Sequence, residues 1–171
     1  KVEQTDIRGD KVLVIYLPDC HESLAGLVAG RVRENYYRPV FVLTDSEDGV
    51  KGSGRSIESY SMYEELTGCG DLLTKFGGHP MAAGLSLDKE NVEKFKRRLN
   101  DQCTLSEEEL TEKVVIDMEL PFAAITEHFI EELEYMEPFG KGNTKPVFAA
   151  RGVVMQHVKI IGKNKNVAKA T

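Results

Sequence analysis

KVLVIYLPDCHESLAGLVAGRVRENYYRPVFVLT, residues 11–44, decides the fold. Lys11 to Leu17 is a short apolar run rich in β-branched residues, the signature of a buried strand. Leu24 to Tyr36 then sets Leu24, Leu27, Val28 and Val32 at helical spacing, with Arg31 and Arg33 off that face, and Ser23 can cap the helix. Pro39 ends the helix, and Val40 to Thr44 reads as a second buried strand. Strand, helix, strand in this order predicts a parallel pair joined by a right-handed crossover.

Beyond this unit the pattern continues as mixed α/β. Gly49 to Arg55 follows an Asp-Gly turn signal and reads as a glycine-weakened third strand. Ser61 to Leu73 is predicted helical with a break near Gly68 to Gly70, and Met81 to Leu87 a strand. Phe76-Gly77-Gly78-His79-Pro80 between them reads as a loop, because Gly-Gly and Pro disfavour regular structure. Lys89 to Cys103 is an amphipathic helix burying Val92, Phe95 and Leu99. Val114 to Leu120 alternates like a strand, and Thr126 to Tyr135 is a helix expected to bury Phe129, Ile130 and Leu133. Residues 137–146 concentrate Pro, Gly and Asn, as a linker or rigid turn does. Val147 to Ile161 is strand-rich, with a hairpin turn expected at 162–166. The expected fold class is therefore α/β: a mixed, partly parallel sheet flanked by helices, then a truncated all-β segment. The expected boundaries are 1–136, a linker at 137–146, and 147–171.

Charge is unevenly placed. The net charge of −6 resolves into −2 over residues 1–100, −11 over 101–140 and +7 over 141–171. The acidic segment reads as a solvated helical face; the lysine-rich tail suits either a phosphate backbone or a strand edge guarded against aggregation. No apolar run reaches membrane-spanning length. Cys20, Cys69 and Cys103 are too few, too scattered and odd in number for a disulfide framework or zinc site, which suggests a cytoplasmic location. The chain opens on Lys1 without an apolar signal region and ends among lysines, so a piece of a longer protein is expected.

Three segments carry chemistry. In Lys51-Gly52-Ser53-Gly54-Arg55-Ser56 the glycines let a ligand approach the backbone, while the Ser53 hydroxyl and the Arg55 guanidinium suit a phosphate. On this segment alone a surface loop of this composition is the favoured reading. Gly77-Gly78-His79 either presents an imidazole on accessible backbone, able to donate to a phosphate or assist a nearby metal, or is a helix C-cap followed by a buried histidine. Asp19-Cys20-His21-Glu22 stands at the end of the first strand, where open α/β sheets bind ligands; His21 is either a site residue or a partner for loop carbonyls. The four histidines have no metal-pair spacing.

Taken in order, His21, the Gly26–Arg31 helix, Arg38-Pro39, the Lys51–Ser56 segment, Lys75-Phe-Gly-Gly-His79-Pro-Met-Ala-Ala-Gly84 and Glu137-Pro-Phe-Gly-Lys-Gly-Asn143 resemble the RecJ family of single-strand exonucleases. The likeness runs from about Lys11 to about Gly162 and covers the DHH-associated domain plus the start of an OB-like domain. It departs at Cys20-His21-Glu22-Ser23, where the family usually reads Trp-His-Pro-Gly, and mildly at Ser53-Gly54-Arg55-Ser56, for the family's Ser-Ala-Arg-Ser.

The resemblance implies a 5′→3′ exonuclease of DNA repair and recombination. Its Mn²⁺ or Mg²⁺ ions belong to a DHH domain missing from this chain, so no cofactor and no unaided cleavage are expected here. By the same resemblance, Ser53 and Arg55 bind the 5′-terminal phosphate and His79 assists near the scissile phosphate. Gly77 and Gly78 shape its segment, and His21 and Lys51 are further candidates. The implied partners are 5′-phosphorylated single-stranded DNA, the DHH domain, a single-strand-binding protein and a helicase, with no membrane. Two other readings keep part of this. One is the substrate half of a DHH phosphodiesterase for cyclic dinucleotides or very short RNA, which the strand-rich continuation past Asn143 disfavours. The other is an accessory RNA-binding domain of the kind appended to alanyl-tRNA synthetases, which leaves residues 137–143 unexplained.

Overall fold

A computed structural model describes residues 9–162 and 164–170. It divides the chain into two compact units, residues 1–112 and 113–171.

The first unit is built on one five-stranded sheet. Its elements are β1 (Leu13–Tyr16), α1 (Glu22–Tyr36), β2 (Val40–Ser46), β3 (Gly49–Arg55), α2 (Met62–Gly68), β4 (Lys75–His79), β5 (Ala82–Leu87) and α3 (Val92–Gln102). The sheet order is β1-β2-β3-β5-β4; β1 and β2 are parallel and every other pair is antiparallel. The parallel pair joined through α1 is the one the opening stretch predicts.

Alternation along each strand separates two apolar layers. Val12, Val14, Phe41, Leu43, Val50, Leu85 and Leu87 point to one face, where Met62, Leu66, Phe95 and Leu99 from α2 and α3 close the main core. Leu13, Ile15, Val40 and Val42 point to the other, against Ala25 and Ala29 of α1. Asn100 ties α3 to the sheet, its amide exchanging two 3.0 Å hydrogen bonds with the backbone of Val12.

Two expectations for this unit are corrected. Residues 76–80 are not a loop: Lys75–His79 is the edge strand β4, paired through its whole length with β5. Glycine and proline composition is a local signal, and β4 is fixed by a non-local partner. On α1 the buried stripe is Ala25 and Ala29, while Leu24 and Leu27 are 49% and 64% exposed. The small residues are what let the helix backbone settle onto the sheet.

The second unit holds β6 (Met118–Glu119), α4 (Glu127–Glu134), β7 (Phe148–Ala149), β8 (Lys159–Ile161) and β9 (Val167–Lys169). β6 pairs with β7 and Phe129 of α4 packs edge-on against Phe148, centroids 5.5 Å apart. Residues 117–120 and Phe129 make contacts with 147–149, within the unit 113–171. Thr126 caps α4 by accepting from the Phe129 amide. Phe129 and Leu133 are half-buried, whereas Ile130 stays 44% exposed against expectation. The strand expected at 114–120 shrinks to β6, and the strand-rich stretch 147–161 supplies the short β7 and β8, each with a single partner strand among the described residues. β8 and β9 form the antiparallel hairpin read around 162–166, with residue 163 outside the described residues. In the Pro- and Gly-rich turn, the Asn143 amide donates to the Met136 and Pro138 carbonyls, pinning the segment. No helix among the described residues is long and apolar enough to cross a membrane.

Candidate nucleic-acid interface

β3, β5 and β4 lie side by side, and their register builds three rows across one sheet face. Arg55 stands opposite Ala82, which stands opposite His79. Ser53, Gly84 and Gly77 form the next row, and Lys51, Ser86 and Lys75 the third. Paired residues share a face, neighbouring strands are about 4.8 Å apart, and successive rows are roughly 6.8 Å apart. The buried residues Val50, Gly54, Ala83, Leu85 and Leu87 occupy the opposite face, so all three rows are on the side of α1.

Helix α1 packs over β2 and β3, and Gly77 and Gly84 beyond it are exposed. The result is an open cleft of about 600 Å³, lined by Glu22, Ser23, Lys51, Ser53, Lys75, Gly77, Gly84 and Ser86 among others.

Glycines in these strands have different causes. A Cβ on Gly52 would stand 2.5 Å from Leu43 Cδ2, and one on Gly54 would stand 2.5 Å from Met62 Sδ and 2.8 Å from the Phe41 ring. Both are demanded by the core. At Gly78, φ is +149° and a Cβ would stand 2.4 Å from the Ala82 carbonyl oxygen, so the bend of β4 requires glycine twice over. Gly77 has nothing within 4 Å of its Cβ position, and Gly84 has only a carbonyl at 3.9 Å. Neither conformation nor packing calls for glycine at these two positions, and their bare backbone forms the cleft floor.

Ser53 and Arg55 are brought together. The Arg55 guanidinium donates to the Gly54 carbonyl at 2.7 Å and to Ser53 Oγ at 3.4 Å. Gly26 of α1 lies directly over both: a Cβ there would stand 2.8 Å from Arg55 Nη2 and 3.1 Å from Ser53 Oγ. Ser56, by contrast, is buried and donates to the Tyr60 carbonyl at 2.6 Å. His79 is exposed on the same face as Arg55, two strands away, and does not line the cleft.

His21 serves as the N-cap of α1, its Nδ1 accepting from the Ser23 amide at 3.3 Å. It borders a second cleft whose lining includes Asp19, Glu22, Asp45, Glu47 and Asp48, surroundings that repel an anion. Lys51 spans the two clefts and holds Glu22 Oε2 at 2.8 Å. That hydrogen bond keeps the Glu22 carboxyl below its ordinary range and the Lys51 ammonium above its own. Residue type does not by itself mark Gly26, Lys75, Gly84 and Ser86 as lying at or beside this cleft. Period-two alternation from Lys75 through Gly77 to His79, had the segment been read as a strand, is the signal that finds the β4 members.

No group of three or more His, Cys, Asp or Glu side chains among the described residues could hold a metal ion. The chemistry available to the residues on this face is anion binding: hydroxyls, ammonium groups, a guanidinium and bare backbone.

A mixed five-stranded sheet carrying a glycine-floored cleft lined by Ser53, with Arg55 one row away on the same face and outside the lining, is a DHH-associated type of binding domain. The family model described as the DHHA1 domain matches residues 9–105, and that described as the RecJ OB domain matches residues 116–171. The chain belongs to the RecJ family. It is 37% identical over 163 residues to the single-stranded-DNA-specific exonuclease RecJ of Bacillus subtilis, covering 93% of this chain and 21% of that protein. Identity to the Thermus thermophilus exonuclease RecJ is 31%, over 92% of this chain and 23% of the relative. The crystal structure of Thermus thermophilus RecJ in complex with Mn²⁺ superposes with a TM-score of 0.78 at 28% identity, over 99% of this chain and 26% of that one. The corresponding complex with Mg²⁺ gives 0.72 at 29% identity, over 90% and 24%. The chain thus spans about a quarter of the length of the relatives it matches.

Proposed function

We propose that this chain is the substrate-gripping region of a single-strand-specific 5′→3′ DNA exonuclease. In this reading the 5′-terminal phosphate lies against Ser53 and Arg55, beside Gly26 and not between it and the pair. The following nucleotide crosses the Gly84–Gly77 floor, and His79 approaches the scissile phosphate from the end of β4. The divalent metals that would activate water belong to a DHH lobe outside the chain. What supports the reading most is the packing of Ser53 Oγ and the Arg55 guanidinium under a glycine of α1. Such a pair offers a short hydroxyl bond and a planar fork to one phosphate. The second unit, matched by the RecJ OB domain, would by itself be a further single-strand contact.

The test is binding by the 171-residue chain. A 5′-phosphorylated oligothymidine should bind more tightly than a blunt duplex of equal length. Its log affinity should fall with log salt by about 0.7 per phosphate neutralised. Tighter binding of the duplex, or binding indifferent to salt, would refute the reading.

A further inference from the structure

The Arg38-Pro39 motif lies outside the cleft lining. Lys11 and Arg38 each stand two residues ahead of a register partner, Leu13 on β1 and Val40 on β2, so the two cations lie together at the starting ends of the parallel pair. Both donate to main-chain carbonyls of one distant segment: Lys11 Nζ to Leu105 at 2.6 Å, and Arg38 Nη1 to Leu110. Between those carbonyls runs a single turn, in which the Leu110 amide donates to the Ser106 carbonyl at 3.1 Å. Ser106 and Glu109 form a capping box. Glu109 Oε2 accepts from the Ser106 amide at 2.9 Å and from its hydroxyl at 2.7 Å, while Ser106 Oγ accepts from the Glu109 amide at 3.3 Å. Leu105 and Leu110, at the staple positions on either side, are buried in the main core. One turn does not hold itself in water, and this one is held at both ends by the first unit. The Arg38 side chain is 22% exposed, whereas Glu107, 3.9 Å from its Nη2, is 85% exposed, so the carbonyl bond is the stronger tie.

This segment is the connection between the units: the DHHA1 match ends at residue 105 and the RecJ OB match begins at 116. Its anchor also stands at a particular end of the sheet. Val40, two residues after Arg38, is paired with Arg55, and that row continues through Ala82 to His79. We propose that Arg38, supported by Lys11, is a positioning residue: it fixes the chain's exit from the first unit at the Arg55–His79 end of the sheet, and so sets the effective concentration at which the second unit meets a strand held in the cleft. The inference rests on the reading of both units as single-strand binders. With the turn anchored, the free path toward β6 starts after Leu110; with it released, the path starts after Cys103, where α3 ends. A longer free tether dilutes the second unit around the cleft.

Two ligands separate grip from tether. One is 5′-phosphorylated dithymidine, too short to engage both units, followed by nuclear magnetic resonance titration. The other is a 5′-phosphorylated oligothymidine of about twelve residues, long enough to include an OB-type site, followed by anisotropy. The wild-type chain should bind the longer ligand more tightly. Arg38→Met should weaken the longer ligand about threefold to tenfold and change the dinucleotide less than about twofold. Arg38→Lys, which keeps a donor for the Leu110 carbonyl, should restore most of the loss. Amide exchange at Leu110 should quicken about tenfold in Arg38→Met while the β2 amides keep their protection. Inserting about twelve Gly and Ser residues between Glu112 and Lys113 leaves the Arg38 contacts in place, and should reproduce the loss on the longer ligand even if Arg38→Met does not fold. Equal losses on both ligands in Arg38→Met, no loss on either, or an insertion variant with unchanged affinity for the longer ligand overturns the proposal. A wild type that binds the longer ligand no better than the dinucleotide overturns it and leaves the cleft reading intact. A wild type that prefers a blunt duplex refutes the proposed function itself, and the tether with it.

Discussion

Arg55→Ala is expected to lower the affinity for 5′-phosphorylated single-stranded DNA by about tenfold to a hundredfold. Affinity for the same oligomer ending in a 5′-hydroxyl should change little. The estimate follows from hydrogen bonds to a charged partner, which contribute about 1.5–3 kcal/mol when one is removed. Arg55 is held in place by its own strand, through the Gly54 carbonyl and Ser53 Oγ, so its loss removes a positioned fork without unpacking the core. Arg55→Lys should recover only part of the affinity, because an ammonium cannot make the bidentate contact. Anisotropy titrations with the two oligomers measure the ratio. A variant that loses both affinities equally would show that Arg55 contributes general charge and not end recognition.

Phe95→Ala is expected to destabilise the first unit by about 3–5 kcal/mol. The side chain is fully buried and stands edge-on to Phe41, with ring centroids 5.6 Å apart at 75°. Phe41 lies on β2 beside Gly54, whose missing Cβ leaves room for that ring. The cavity would therefore open directly behind the strand that carries Ser53 and Arg55. Urea denaturation followed by far-ultraviolet circular dichroism should show a lower midpoint with an unchanged slope. A loss under about 1 kcal/mol would mean that α3 does not anchor this sheet face.

The sheet's founding unit was legible because its signals are local. β-Branched runs gave β1 and β2, helical spacing gave α1, and Val92, Phe95 and Leu99 marked the inward side of α3. What escaped depended on partners distant in sequence. β4 looks like a loop until β5 is laid against it, and only then do Lys75, Gly77 and His79 fall on one face. On α1, hydrophobicity favoured Leu24 and Leu27 for the interior, yet close approach to the sheet selected Ala25, Gly26 and Ala29. In the second unit the apolar runs were visible, but a strand exists only where another pairs with it. Val114, Val115 and Val154 thus remain 70%, 76% and 79% exposed. Residue type alone favours a surface loop for Ser53 and Arg55, and the family resemblance is what marks them as site candidates; that they pack against Gly26 of α1 required coordinates.

Where a single 5′-phosphate lands on this protein can be read directly by amide chemical-shift mapping with thymidine 5′-monophosphate. The largest shifts should fall on residues 51–55 and on Gly26, Gly77 and Gly84. Shifts confined to the lysine-rich segment 159–169, or to the α2–α3 face of the sheet, would contradict phosphate recognition by β3.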